Sequence, residues 1–324
     1  MLLLVSAAAD PTSDLLENKF EQSRIKYVRL NREDMSWTVR FDGRVAAIVW
    51  PGKSQEIPVS AVVIRRLLVS ETPKSFLADQ DPGVAEFSWS QLSQTRLAIL
   101  RRIAEQIFVM NNPQRAVEVD DKLHQLVIAQ ECGLSIPATC LGSDPVAAEK
   151  FARDAWRGGR QVCTKLFAPE NFTVQGQQYA RMTELLGPDD VAKITSVQCC
   201  PLILQEYVPK KFEYRVVVVG DAVLACKIDS QRAGGKTAID WRNYNLAKTP
   251  HEIVTLPDTI SAKLIAFHVK TGLVFSCFDL IQTPDDDYVF LETNPFGQWL
   301  WLEELVGLPV SDAICKTLHV HTSQ

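Results

Sequence analysis

Two β-prone runs near the C-terminal end, 273–281 and 288–293, flank the turn sequence Pro284-Asp285-Asp286-Asp287, and this arrangement commits the region to an antiparallel hairpin. The hairpin constrains chemistry as well as fold. Side chains alternate along a strand, so Glu292 and Asn294 in Leu291-Glu292-Thr293-Asn294-Pro295 share one face while Thr293 points away. Asp279 of Phe278-Asp279-Leu280, on the partner strand, can converge with them. Together these are three hard oxygen donors, the inventory with which Mg²⁺ is held alongside nucleotide phosphates and water. The plainer alternative is two solvated hairpin carboxylates and an asparagine turn. Against it, the apolar flanks of both runs imply partial burial, where an unpaired charge is expensive.

The preceding region also reads as strands: 202–208, 214–219 and 222–228 are rich in β-formers, with Gly220-Asp221 suited to a tight turn between the last two. Gln205-Glu206-Tyr207-Val208 closes the first of them. A strand end leading into a turn exposes backbone N–H and C=O groups with which an adenine edge can pair, and Glu213, just past Pro209-Lys210-Lys211, can accept ribose hydroxyls. Glu213 and Arg215 share a sheet face, where a guanidinium fork suits a phosphoryl or carboxylate oxygen; a cross-strand ion pair is the alternative. Lys165 in Cys163-Thr164-Lys165-Leu166 is a charge within an apolar strand, and Lys122 opens a helix. Either ammonium can meet phosphates, although most lysines only solvate a surface. The sequence holds no Gly-x-x-x-x-Gly-Lys-Ser/Thr phosphate loop. His124, His251 and His268 have no companion Ser or Cys nucleophile motif, so a hydrolase triad is not supported, and His319 and His321 lie in a terminal tail.

The rest of the chain organises around these segments. Residues 2–6, 14–22, 26–30 and 45–50 alternate as a small α/β layer. The stretch 1–9 has the apolar character of a signal peptide without its basic start, and reads better as a first core strand. A long helix follows, with Leu92, Leu97, Leu100, Ile103, Ile107 and Phe108 at helical spacing and Asn111-Asn112-Pro113 as its end. Asp120-Asp121 and Gly133 bracket a further helix, and Asp144-Pro145 and Gly158-Gly159 another, before a strand over 162–167. Residues 170–195 are polar and aperiodic. A helix over 260–271 stops at Gly272, and a closing helix starts near Asp312. The expected division is 1–110, 111–200 and 201–324.

Net charge of -5 over 324 residues, with the signs interspersed, gives no basic stripe for nucleic acid. Nothing reaches the roughly 18 uninterrupted apolar residues that a membrane span needs, so a cytoplasmic location without a membrane partner is expected. The eight cysteines form no C-x-x-C pair and sit mostly among apolar neighbours, as reduced buried thiols do.

Asp121-Lys122, Thr164-Lys165, Gln205-Glu206-Tyr207-Val208, Glu213-Tyr214-Arg215, Phe278-Asp279-Leu280-Ile281 and Leu291-Glu292-Thr293-Asn294-Pro295 resemble, in this order, the motifs of ATP-grasp ligases. Within that superfamily the chain is most similar to the maturases of graspetides, the microviridin-type cyclised ribosomal peptides. Asp240-Trp241-Arg242, Asn294-Pro295-Phe296-Gly297-Gln298-Trp299 and the lead-in from Asn111-Asn112-Pro113 to Lys122 carry the narrower likeness. It covers about 105–315 well and the first hundred residues loosely.

The resemblance implies an α/β (α+β) ATP-grasp fold: an N-terminal pre-ATP-grasp α/β domain, a central α+β domain and a C-terminal antiparallel-sheet domain. It implies that Lys122 and Lys165 hold nucleotide phosphates, Glu206, Tyr207 and Val208 form the adenine hinge, and Glu213 binds ribose. Asp279, Glu292 and Asn294 would hold Mg²⁺, and Arg215 would be catalytic, stabilising the acyl-phosphate step. Asp229, in Lys227-Ile228-Asp229-Ser230-Gln231, departs from the His of several relatives, and a glycine-bearing loop of the chain's own follows it at 232–237. Asp229 and Arg242 would face the acceptor substrate.

The implied reaction uses ATP to phosphorylate an Asp or Glu side chain of a precursor peptide, which a Ser or Thr hydroxyl or a Lys amine of the same peptide then attacks. The implied partners are that peptide, with a leader segment held against 170–195, and a second copy of the chain as a homodimer. The alternative enzyme adds a free amino acid to a peptide or protein carboxylate and shares every nucleotide residue. A non-catalytic ATP- or peptide-binding scaffold is the third reading, disfavoured because the phosphate and metal set is complete.

Overall fold

The run Leu2–Ser6 (β1) is buried throughout because it lies inside a parallel sheet, between Tyr27–Asn31 (β2) and Ala61–Ile64 (β6). A strand covered on both faces reads as an unbroken apolar run, so the expected first core strand is what forms. The computed structural model describes residues 1–33, 38–41, 45–49, 56–57, 59–66, 79–167, 172–174, 177–179, 183–241 and 248–322. Helix α1 (Pro11–Gln22) follows β1. Strands β3 (Thr38–Phe41), β4 (Val45–Val49) and β5 (Glu56–Ile57) leave the parallel layer and form a small antiparallel sheet of their own, a departure from the expected single layer.

Helix α2 (Pro82–Ala104) begins at Asp81, whose side chain accepts hydrogen bonds from the Gly83 and Val84 amides. It ends earlier than its periodicity predicts. Ile107 lies beyond it, and Phe108–Met110 (β7) pairs in parallel with β6. An open sheet edge there satisfies the backbone of 108–110 in a way that local spacing cannot reveal. Helices α3 (Pro113–Val119) and α4 (Lys122–Glu131) come next, capped by Asn112 and Asp121, and Gly133 (φ +78°) supplies the expected left-handed stop after α4.

The central segment contains β8 (Thr139–Gly142), α5 (Pro145–Arg157), β9 (Gln161–Lys165), a separate hairpin of β10 (Phe172–Val174) and β11 (Gln177–Tyr179), and β12 (Glu184–Leu186). Asp144 caps α5 as expected. A short helix α6 (Val191–Thr195) leads to β13 (Leu202–Tyr207), and the central sheet runs β12-β9-β13-β8, antiparallel throughout. Strand β13, at the start of the expected C-terminal unit, thus hydrogen-bonds with strands of the middle segment.

The C-terminal sheet is antiparallel, ordered β16 (His251–Val254), β15 (Ala222–Ile228), β14 (Phe212–Val219), β17 (Phe275–Gln282) and β18 (Tyr288–Asn294). Short helices α7 (Ser230–Ala233) and α8 (Gly235–Ile239) interrupt the segment read as a loop, and α9 (Asp258–Thr271) stops at Gly272 (φ +68°) as expected. Helices α10 (Leu300–Val306) and α11 (Val310–Thr322) close the chain.

Strand β14 explains the layering. Tyr214, Val216 and Val218 face a core built with Leu126 of α4, Leu264 and Phe267 of α9, and Phe278 and Phe290. Val217 and Val219 face the other core, shared with Leu2, Leu16, Trp299 and Ile314. Toward the start of the strand that second face turns polar, with Glu213 and Arg215. Buried Asn111 ties the two sheets together: its Nδ2 donates to the carbonyls of Phe275 (2.6 Å) and Pro295 (2.8 Å), and its Oδ1 accepts from the Val274 (2.8 Å) and Phe275 (2.9 Å) amides. All eight cysteines are free thiols; Cys163, Cys226, Cys277 and Cys315 are buried, while Cys199 and Cys200 are exposed, against the expected pattern. Among the described residues no helix is long and apolar enough to cross a membrane.

Candidate active-site cleft

Asp279 of β17 and Glu292 of β18 are register partners, and the ladder is irregular immediately after them: Leu280 pairs with Phe290, leaving Leu291 as the extra residue. Such a bulge re-aims side chains next to it. Here Leu291 and Glu292 both line a cleft.

On the other side of β17, Arg215 stands opposite Asp279, and one guanidinium nitrogen donates to both carboxylate oxygens at 3.0 Å. Its second nitrogen donates to the Gln298 carbonyl at 3.3 Å. The cross-strand ion pair anticipated as the plainer role of Arg215 therefore forms, with Asp279. Lys122, in the first turn of α4, donates to Glu292 Oε2 at 2.7 Å. The result is an ordered array of Lys122, Glu292, Asp279 and Arg215, in which a cation flanks each of two neighbouring carboxylates. Burial works to discharge Arg215, but Asp279 beside it outweighs this and holds its pKa above the ordinary guanidinium value.

The cleft, about 610 Å³, lies between the central and C-terminal sheets. Lys165 of β9 and Glu206, Tyr207 and Val208 at the end of β13 line one side; Glu213, Asp279 and Glu292 line the other. A smaller recess of about 370 Å³ adjoins it, sharing Lys165, Gln205, Leu291 and Glu292 and adding Lys122. The two lysines chosen from sequence thus lie at one end of the cleft with the two carboxylates.

At the other end, Glu213 is buried together with Lys210, 3.0 Å away, and Ser230 Oγ donates to its Oε1 at 2.6 Å. Burial raises the Glu213 pKa, and Lys210 and Ser230 oppose that rise. Lys210 also donates to the Ile239 carbonyl (2.8 Å), and the Tyr207 hydroxyl to that of Ala238 (3.3 Å), so α8 is pinned beside the cleft. Burial pushes the Tyr207 phenol up to about 12, which keeps it a donor at neutral pH. The Glu206 amide is already bonded to the Ala138 carbonyl (2.9 Å), and its side chain pairs with Arg160.

The remaining expected site residues are not among those that line the cleft. Arg215 is buried and is not among the residues lining the cleft; the same holds for Asn294, which is half-buried with its carbonyl accepting the Gly297 amide at 3.0 Å. Asp229 caps α7 by accepting the Arg232 amide and is also absent from the lining. Arg242 lies outside the described residues. Sequence reasoning missed Lys210, Asp240 and Trp241 on the cleft wall. A signal existed for Lys210, three residues before Glu213 in a strand-forming run; Asp240 and Trp241 stand in the Asp240-Trp241-Arg242 phrase that carries the narrower likeness, but their place on the wall depends on the path of α7 and α8.

Among the described residues no cluster of three His, Cys, Asp or Glu side chains stands ready to hold a metal ion. Two adjacent carboxylates, each already balanced by a cation, fit a divalent ion that brings phosphate and water ligands with it better than one caged by protein alone.

No family model and no curated protein sequence matches the chain. Its structure is similar over nearly its whole length to solved structures. One is a RiPP-associated ATP-grasp ligase of Chryseobacterium gregarium in complex with ADP and a leader and core peptide (TM-score 0.87, 24% identity, 98% of this chain and 96% of that one). Another is the macrocyclase MdnC of Microcystis aeruginosa MRC bound with precursor peptide MdnA (TM-score 0.83, 26% identity, 98% and 99%). A third is the ATP-grasp ligase PsnB complexed with a minimal precursor, Mg and ADP (TM-score 0.80, 20% identity, 99% and 97%). The chain has the fold of the ATP-grasp ligases, as its motif order implies.

Proposed function

We propose that this ATP-grasp ligase is an ADP-forming peptide macrocyclase, which activates Asp or Glu side chains of a ribosomally made precursor peptide and closes them onto Ser or Thr hydroxyls or a Lys amine of the same peptide. The observation that carries the reading is the Lys122, Glu292, Asp279 and Arg215 array at one end of a cleft whose other end holds the 206–208 strand terminus and Glu213. The likeness to MdnC, solved with its precursor peptide, supports a peptide as the second substrate.

In this reading the backbone of Glu206, Tyr207 and Val208 seats adenine, Glu213 accepts ribose hydroxyls, and Lys122 and Lys165 take the phosphates. Asp279, Glu292 and Asn294 would hold Mg²⁺, which when bound offsets the charge on the phosphate oxygens. A peptide carboxylate oxygen attacks the γ-phosphorus, the bond to the β-phosphate oxygen breaks, and ADP leaves. The hydroxyl or amine of the same peptide then attacks the acyl carbon, loses its proton and expels phosphate. Each ring therefore removes the elements of one water from the peptide. Such phosphoryl transfer needs positioning and charge neutralisation more than a protein nucleophile. Arg215, committed to Asp279, would hold that carboxylate in place and add a fixed positive charge behind it, favouring the charge that builds up in the acyl-phosphate step.

Asp229 and Arg242 are proposed for the acceptor side, a leader segment for the 170–195 stretch, and a microviridin-type ester or amide for the product. We further propose a cytoplasmic homodimer, to be read from its mass in solution by light scattering.

The deciding experiment is the intact mass of a precursor peptide encoded beside the gene, after incubation with the protein, ATP and Mg²⁺. Successive losses of one water, absent without ATP, are expected. A gain equal to an added amino acid would overturn cyclisation in favour of amino-acid ligation.

A further inference from the structure

Gln125 lies one helical turn after Lys122 on α4 and is 2% exposed. Its carboxamide makes a two-point contact with the backbone of a single residue: Oε1 accepts from the Thr293 amide at 2.9 Å, and Nε2 donates to the Thr293 carbonyl at 2.9 Å. Strand β18 is the edge of its sheet: beyond β17 it meets only an isolated bridge, between Val289 and Ser135, which does not reach Thr293. The outward N–H and C=O of Thr293 therefore have no strand to bond, and burial under α4 removes water as a substitute. The carboxamide reproduces the donor and acceptor of an absent neighbouring strand.

The site of this contact matters because Thr293 separates Glu292 from Asn294. Residues 292–294 pair in register with 277–279 on one side only, and the ladder breaks immediately before Glu292, at the bulged Leu291, so the segment is held by a short run of pairing along a single edge. Helix α4 holds the opposite edge at two points, the Glu292 side chain through Lys122 at 2.7 Å and the Thr293 backbone through Gln125. The helix is itself fixed by Leu126, Ile128 and Ala129 in the core beneath it.

We propose that Gln125 is a positioning residue for the divalent metal: it sets the spacing and orientation of the two proposed ligands on either side of Thr293 without touching the ion. This rests on the reading of Asp279, Glu292 and Asn294 as the metal set. Groups that orient metal ligands through hydrogen bonds tune affinity strongly, so Gln125→Met, close in length but unable to bond the peptide, is expected to weaken metal binding about tenfold or more.

The test uses Mn²⁺ as the probe, titrated by electron paramagnetic resonance against the full chain with ADP present, beside ADP affinity in EDTA and thermal melting. Gln125→Met should lower Mn²⁺ affinity and leave metal-free ADP affinity unchanged. Gln125→Glu, which keeps the acceptor for the Thr293 amide and loses the donor, should lie between it and wild type. Phe267→Leu, in the same core but bonded to neither Thr293 nor a proposed ligand, should lower the melting temperature without weakening Mn²⁺. Unchanged Mn²⁺ affinity in Gln125→Met, or equal weakening in Phe267→Leu, would overturn the positioning role. Failure of wild type to bind Mn²⁺ with ADP would overturn the metal reading of the cleft itself, and this inference with it.

Discussion

Arg215 and Asp279 face each other as register partners on β14 and β17, buried, with one guanidinium nitrogen 3.0 Å from both carboxylate oxygens. Removing one member of such a pair leaves an uncompensated buried charge. Arg215→Ala should therefore cost roughly 3–5 kcal/mol of stability by denaturant unfolding. At temperatures where it stays folded, turnover should fall far more than nucleotide affinity. Equal losses in both would make Arg215 a binding residue.

Glu292→Gln keeps the shape of the side chain and an oxygen for Lys122, so its melting temperature should stay within a few degrees of wild type. ATP turnover with peptide at ordinary magnesium should disappear, because a neutral amide is a poor substitute for a carboxylate toward Mg²⁺. Retained turnover would remove Glu292 from the metal set.

Gly297 has no room for a methyl group. A Cβ there would lie 2.5 Å from Cys277 Cβ, 2.6 Å from its Sγ and 3.1 Å from an Arg215 nitrogen. Gly297→Ala should destabilise by about 1–3 kcal/mol, the usual cost of overpacking. Because the Cys277 Cβ is itself in the way, Cys277→Ala should fail to rescue it and Cys277→Gly should recover part of the loss, as read by thermal melting.

His268 is buried on α9, one ring nitrogen 2.6 Å from Ser276 Oγ, and burial lowers its pKa from 6.5 to about 3. The folded protein keeps this ring neutral while the unfolded chain protonates it. Its contribution is full above about pH 6.5 and is lost as pH falls toward 3, with a slope of up to about 1.4 kcal/mol per pH unit. His268→Gln should flatten the stability profile between pH 6.5 and 4 in urea titrations; an unchanged slope would show that His268 is protonated in the fold.

Much of the fold was legible because its signals are local. The hairpin around Gly220, the stops at Gly133 and Gly272 and the caps at Asp121 and Asp144 each follow from one or two residues. What was not legible depends on distant partners. The helical spacing through Phe108 lost to an open edge of the parallel sheet, and nothing inside 202–207 says that β13 pairs with 139–142 and 161–165. The bulge at Leu291, beside Glu292, is invisible to simple alternation. Gln125 left a faint trace, as a polar residue on the apolar side of α4 beside Leu126, but its partner 168 positions away could not be named from sequence.

Along β14 one side of the strand passes from Glu213 at the cleft through Arg215, paired with Asp279, to Val217 and Val219 in the core shared with the parallel sheet. A single-residue insertion or deletion there would exchange the two sides, sending the charges into the opposite core and valines into the cleft. Length change in β14 cannot be neutral for either folding or chemistry. Within 212–219 the chain can vary only by substitution, residue for residue.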